Sequence, residues 1–552
     1  MNKRRAYLLL LFFVLIALAI VARLVDLQII HYRFYKERAE SQRKRIINLA
    51  VDRGDILDRN GRILATSLNA FSVYVNPRHF TSAEALSKLL GEPVGPLDKR
   101  KLFAWVKRKI DKAAADKVLE AKIPWVSILP EKKRVYPKGH LASQVIGFVG
   151  LDNEGLSGIE LSQDKYLKGV EGQIVTESDP MGYELLAVRE KDREEASPGM
   201  NLTLTIDESI QFIAERALER TIKQFQALSG CIIVMDAKNG EILALAGKPD
   251  FDPNEYAKAP PDRWKSFAVD VYEPGSTFKV ITAASGLDEG VIDLDTKLNA
   301  LDSITIGGKV IKNSHQINWG GSTISVSRML EQSINTGAVQ IGLKLGPDRF
   351  YRKMKDFGFG ETLSIGLPGE SRGLLRPPAE WYKPDIAMMT FGQSIAVTPI
   401  QLISAFQALA NGGVRIRPTL IKKIESIDGS FVRTNSANEI DQPVSKKTVA
   451  EVRGLLENVV LNGSGKRTKM NAYRVGGKTG TAQKAVHGIY AKGRFIASFC
   501  GMAPLTDPAV VALVIVNEPK TSIWGESVAG PTFKEVVENA LRYLNVPPDM
   551  VK

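Results

Sequence analysis

The strand signals of this chain fall into two groups with a long helical interval between them, and that interruption restricts the fold more than any other feature. Residues 202–206 alternate apolar and polar side chains as a half-buried strand does, and a helical pattern follows at 211–225. Apolar runs at 231–235 and 241–246, joined by a turn at Asn239-Gly240, read as a hairpin. Three further strand-like runs come only much later, at 474–481, 495–502 and 510–516, and a last helical pattern covers 533–544. Strands and helices do not alternate, which argues against a doubly wound parallel sheet. The expectation is an α+β fold. Two early and three late strands form a five-stranded antiparallel sheet, flanked by helices, with an all-helical insert between the two groups.

At the other end of the chain, Lys3-Arg4-Arg5 precede seventeen residues, Ala6 to Ala22, without a charge. A spanning helix needs about 20 residues. Apolar positions resume at Leu24, Val25, Leu27, Ile29 and Ile30, and Arg23 can snorkel to an interface. The reading is a cytoplasmic tail at 1–5 and an uncleaved transmembrane helix at 6–27, oriented by the positive charge before it. The basic Arg43-Lys44-Arg45 cluster beyond the helix softens that orientation. A cleaved signal peptide, with Ala17-Leu18-Ala19 as its site, is the rival, but the apolar region is longer than such peptides use.

The net charge of +13 is placed unevenly: residues 1–140 hold 28 Lys and Arg against 13 Asp and Glu, the remainder 46 against 48. Beside a membrane anchor, a basic first third suits an anionic surface or a membrane partner and disfavours nucleic acid. With 44% hydrophobic and 24% charged residues the chain is a folded one. Cys231 and Cys500 each lie in an apolar run and read as buried free thiols, with a cross-strand pair as the alternative. The five histidines are scattered and no Cys/His spacing suggests a metal, so neither metal nor cofactor is expected. Residues 28–200 read as a mixed structural or partner-binding domain, with an Asn60-Gly61 hairpin and a Lys-rich helical stretch at 102–122. The domain that carries chemistry is expected at 201–546.

Within it, Pro274-Gly275 break the chain just before Ser276-Thr277-Phe278-Lys279, which runs into an apolar helical pattern. Ser276 then sits at a helix N-terminus, and Lys279, three residues on, shares its face. A serine hydroxyl becomes a nucleophile when a neighbour takes its proton, and a lysine held neutral can do so. In the helical insert, Ser333-Ile334-Asn335 places a hydroxyl and an amide two residues apart; both face one cleft only from a loop, and Thr336-Gly337 suggests a break there. On the first late strand, Gly476-Gly477-Lys478-Thr479-Gly480-Thr481 surrounds a lysine with small residues that let a ligand lie along the strand edge. Gly477-Lys478-Thr479 also resembles the end of a phosphate-binding loop, but the required first glycine is Ala472 and no helix follows Thr481.

Ser-x-x-Lys, Ser-x-Asn and Lys-Thr-Gly in this order resemble the penicillin-recognising serine acyltransferases. The likeness extends to Arg53-Gly54 through Ala65, Arg134 to Pro137 and Gly155 to Glu160, which resemble the pedestal motifs of class B penicillin-binding proteins. Asp252-Pro253-Asn254, Gly392-Gln393, Thr398 to Leu402 and Ala410 to Gly413 match that family's transpeptidase domain. Within the family the chain is most similar to the division-type peptidoglycan D,D-transpeptidases.

The resemblance implies that Ser276 is acylated by a D-Ala-D-Ala stem peptide and that an amine from a neighbouring stem then takes the acyl group. Lys279 would be the base, its pKa lowered with help from Lys478, and Ser333 the proton relay. Asn335, Lys478, Thr479, Gly480 and Thr481 would bind substrate, and the backbone N–H groups of Ser276 and Thr481 would form the oxyanion hole. β-Lactams would acylate Ser276, and a polytopic glycosyltransferase of the SEDS family, with other divisome membrane proteins, would be the partners. An elongation-type transpeptidase and a D,D-carboxypeptidase are the near alternatives. A β-lactamase is disfavoured: Glu361, Glu370 and Glu380 lack the E-x-x-L-N pattern of a deacylating base. A non-enzymatic sensor or scaffold would tolerate decay of the serine and lysines, and all are present.

Overall fold

Strand alternation decides the centre of the molecule. In the computed structural model, which describes residues 3–49, 51–178, 184–185, 193–194, 196–486 and 489–550, both groups of strands meet in one antiparallel sheet. Its strands are β1 (Ser229–Asp236), β2 (Ile242–Lys248), β3 (Gly476–Val486), β4 (Ile489–Ala503) and β5 (Val510–Asn517), in the order β2-β1-β5-β4-β3. β5 lies in the middle and is buried at every position. Its register with its neighbours aligns Ile233, Leu513 and Cys500 on one face and Ile232, Val514 and Phe499 on the other. The first face packs on the helices of the insert. The second packs on α1 (Glu208–Phe225) and the last helix, Gly525–Tyr543, through Leu218, Val528, Phe533 and Val537. Cys231 and Cys500 are buried and unpaired.

Three expectations need correction. The last helix begins at Gly525, ahead of the expected 533, because the sheet-facing side chains around Pro531 hold the helix through a residue that removes one backbone bond. The Lys-rich stretch is helical only at Lys112–Glu120; Ala104–Ile110 is a strand on Ile63–Val75, and Asp111 caps the helix by accepting from Ala114 N. The insert is mainly helical but not wholly so. Lys297–Asn299 pairs with Thr323–Ser325, and Ser303–Ile306 with Lys309–Lys312.

Two compact units divide the chain: one of Met1–Val51 with Gly169–Pro198, the other of Asp52–Lys168 with Gly199–Lys552. In the first, Lys3–Val25 is one helix whose apolar side chains are exposed, and with its continuation to Ile30 it is long and apolar enough to cross a membrane. In the second, Asn201–Leu204 pairs with Ile56–Leu57 on one side and Ile421–Glu425 on the other, so a single sheet crosses the boundary expected at residue 200.

The three pedestal motifs converge on one buried carboxylate. Glu160 has no exposed surface. It accepts from Arg53 Nε at 2.6 Å, Arg134 Nε at 2.7 Å and the Tyr136 hydroxyl at 3.3 Å, while Arg53 also donates to Asp164 at 2.6 Å. Removing one member of such a cluster leaves its partners' charges buried and unpaired. Glu160→Ala is therefore expected to destabilise this unit by ~3–5 kcal/mol, read as a lowered thermal midpoint; Asp98→Ala, at a surface pair, serves as the neutral control.

Candidate active site

Ser276 lies in a tight turn, Gly275–Phe278, that leads directly into α2, Lys279–Asp288. α2 is buried along nearly its whole length between the sheet and the insert, which carries Lys279 into the interior with no exposed surface. Lys279 Nζ lies 3.1 Å from Ser276 Oγ, 3.1 Å from Ser333 Oγ and donates to the Ser333 carbonyl at 2.6 Å. Burial, and then the like charge of Lys478, hold its pKa well below the usual lysine range. A neutral amine has two N–H donors and one lone pair, so with Ser333 taking the donors the lone pair is left for the Ser276 hydroxyl proton.

Ser333 reaches Lys279 because the chain turns sharply between α3 (Val326–Glu331) and α4 (Asn335–Leu345), where Ser333 adopts a left-handed φ of 54°. The break falls there and not at the expected Thr336-Gly337, which lie inside α4. Asn335 opens α4, and its side-chain N–H donates to the Lys312 carbonyl at 2.8 Å, which leaves its oxygen free to accept.

The third wall is β3, an edge strand whose outer side runs past the Ser276 turn. At Gly480 a Cβ would meet Thr277 of that turn at 3.0 Å and the Pro274 carbonyl at 3.2 Å, besides Ser498 Oγ of the paired strand β4 at 2.3 Å. Lys478 is fully buried, its amine contacting the Thr479 carbonyl and hydroxyl at 3.1 Å each, and burial lowers its pKa to about 7. Thr479 Oγ1 is 2.8 Å from Ser464 Oγ. Thr481 Oγ1 accepts from Gly525 N at 3.2 Å, so its hydroxyl hydrogen is available. A cleft of about 1070 Å³ is lined by Ser276, Ser333, Asn335, Thr479 and Thr481, with Trp524 at its rim; Lys279 and Lys478 sit behind the lining.

Two residues that motif reading passes over also belong here. Asn313 caps α4: its side-chain oxygen accepts from Asn335 N at 2.9 Å and Thr336 N at 3.1 Å. His315 lines the cleft, although no spacing to Ser276 or Lys478 marks it among the scattered histidines. His487 lies outside the described residues.

Known proteins share the frame that carries these residues. The model of the penicillin-binding protein transpeptidase domain matches residues 230–538, and that of the penicillin-binding protein dimerisation domain matches residues 48–204. This chain belongs to the penicillin-binding transpeptidases. It is 33% identical to stage V sporulation protein D of Bacillus subtilis, over 99% of this chain and 86% of that protein. It is 29% identical to the peptidoglycan D,D-transpeptidase FtsI of Escherichia coli, over 97% of this chain and 91% of that one. Among solved structures, penicillin-binding protein 3 of Mycobacterium tuberculosis in complex with aztreonam aligns at a TM-score of 0.72 and 27% identity, covering 92% of this chain and 98% of that one.

A transpeptidase of this class is a serine-type acyl-transfer enzyme, and the lysines of its site carry a cost in stability. The Lys478 pKa falls on folding, so the unfolded chain holds more protons than the folded one between pH 7 and the free-lysine range. The penalty is full below about pH 7 and fades as pH rises above it. Lys478→Met is expected to raise the thermal midpoint by several degrees at pH 7 and by progressively less as pH approaches 10, measured by calorimetry.

Proposed function

We propose that this transpeptidase cross-links the D-Ala-D-Ala stem peptides of peptidoglycan through an acyl-enzyme on Ser276. The observation that carries the assignment is the buried Lys279 amine at 3.1 Å from Ser276 Oγ, in a chain of this family. Lys279 takes the Ser276 proton as Oγ attacks the carbonyl of the penultimate D-alanine. The backbone N–H groups of Ser276 and Thr481 receive the oxyanion, a contribution of roughly 3–4 kcal/mol per donor. Ser333, in contact with Lys279, relays the proton to the departing D-alanine amine. The peptide lies along the outer edge of β3, where the Asn335 oxygen accepts from its amide. Thr479 and Thr481 hold its carboxylate, backed by Lys478, and Gly480 keeps the strand close enough to the nucleophile. β-Lactams acylate the same serine and stay there as esters.

The domain reading that goes with this function is a tail at 1–5, a single membrane-spanning helix at 6–27, a pedestal at 28–200 and a transpeptidase domain at 201–546. The charge of Lys3-Arg4-Arg5 supports an N-terminus in the cytoplasm and a catalytic domain outside the cytoplasmic membrane. Whole-chain resemblance to the division-type enzymes supports work at the septum with a SEDS-family glycosyltransferase, met through the anchor and the basic pedestal. Depletion yields filaments on this reading; spheres place the enzyme in elongation instead.

A fluorescent penicillin is expected to label the protein covalently and Ser276→Ala to abolish labelling; a labelled alanine variant would overturn the nucleophile. Because the neutral amine is the base, the acylation rate rises with pH through the lowered Lys279 pKa and levels above it. Lys279→Arg, charged throughout, is expected to acylate at least ~100-fold more slowly at every pH.

A further inference from the structure

Acyl transfer to an amine sets a proton problem that Lys279 solves only in part. An alkyl amine reaches the cleft at neutral pH as an ammonium ion, since its pKa is about 10. Its nitrogen must shed two protons to become an amide nitrogen. One of them can pass through Lys279 to Ser276 Oγ as the ester C–O bond breaks. The other must leave first, because an ammonium ion has no lone pair with which to attack.

One loop of the insert offers a base for that earlier step. His315 lines the cleft together with Ser276, Ser333 and Asn335. The loop that carries it is clamped at both ends to the helices on either side of Ser333. Before His315, Asn313 caps α4 and also donates to the Leu301 carbonyl at 3.0 Å. After it, Arg328 of α3 donates to the Trp319 carbonyl at 2.9 Å and to the Asn318 carbonyl, and the Trp319 indole N–H donates to Asp302 at 2.8 Å. The imidazole is thereby tied to the same element that presents Ser333. Its Nδ1 lies 3.2 Å from Ser314 Oγ, and its Nε2 has no partner among the described residues. The charged groups that line the same cleft are Lys309, Lys312, Lys466, Glu331 and Glu526, and Lys279 and Lys478 act on the ring from behind the lining. Partial burial and then the two buried lysines favour the neutral ring.

We propose that His315 is the base that prepares the acceptor amine for the second half-reaction. Nε2 takes one proton from the acceptor ammonium and releases it to solvent. The freed lone pair then attacks the acyl carbon of the Ser276 ester, the C–N bond forms, and the second proton travels by way of Lys279 to Ser276 Oγ. The idea rests on Ser276 acylation, so its test separates the two half-reactions.

Separate samples of the full chain in detergent, native and His315→Gln, are either labelled with fluorescent penicillin or, unlabelled, supplied with a thioester donor and one of two acceptors. D-Alanine arrives as an ammonium ion, whereas hydroxylamine is uncharged at neutral pH and needs no such base. The expected result for His315→Gln is penicillin labelling within about twofold of native, D-alanine transfer lowered by about 100-fold, and hydroxylamine transfer retained. Unchanged D-alanine transfer overturns the proposal. So does an equal loss with both acceptors, which would make His315 structural. Failure of the native protein to label would instead overturn the assignment of Ser276.

Discussion

Lys279 has no exposed surface, yet its amine lies 3.1 Å from each of two serine hydroxyls. Burying an ammonium costs several kcal/mol unless it is paired, and no carboxylate contacts this one among the described residues. The neutral form is the cheap form here, and the site exists to keep it so. α2 is packed on all sides to deny the amine water, and Lys478 adds a second positive charge. The polar contacts supplied are oxygens of neutral groups, which suit an amine without stabilising its charge. The same packing that holds the lysine neutral makes the domain less stable than an all-apolar interior would be.

Positioning explains the remaining choices. Three elements distant in sequence must present small groups within a few ångströms of each other, and each does so by giving up a side chain or a relaxed backbone. Gly480 gives up its side chain so that β3 can pass the Ser276 turn. Ser333 accepts a left-handed backbone so that its carbonyl and hydroxyl both reach Lys279. Away from the cleft, polar burial serves a different end. Glu160 draws together Arg53, Arg134 and Tyr136, and a bidentate carboxylate between two guanidinium groups specifies geometry more sharply than apolar contact does.

Much of this could be read from residue order. Apolar runs fully buried in a sheet announce themselves, which is why the sheet could be placed from its two groups of strands. Short motifs with Ser, Lys, Asn and Gly also survive as spacing. Features set by tertiary partners could not be read so well. Residues 104–110 look helical in a Lys-rich context and become a strand because Ile63–Val75 offers them an edge. The last helix runs through Pro531, carried by packing on the sheet, and so begins ahead of the residues whose pattern marks it. Asn313 belongs to the site through hydrogen bonds to a helix that begins 22 residues later, and His315 follows it on the same loop. No local pattern encodes such a bond.

The order of strands in the sheet has a consequence in time. β5 lies between β1 and β4 and is the last of the five to be made. Until it arrives, β1 has an unpaired apolar edge, and the β3–β4 pair has no strand to link it to β1 and β2. Pairings so distant in sequence form slowly and leave strand edges open to other chains. The sheet that backs the cleft is therefore joined into one piece only by its last strand, which is also its central one.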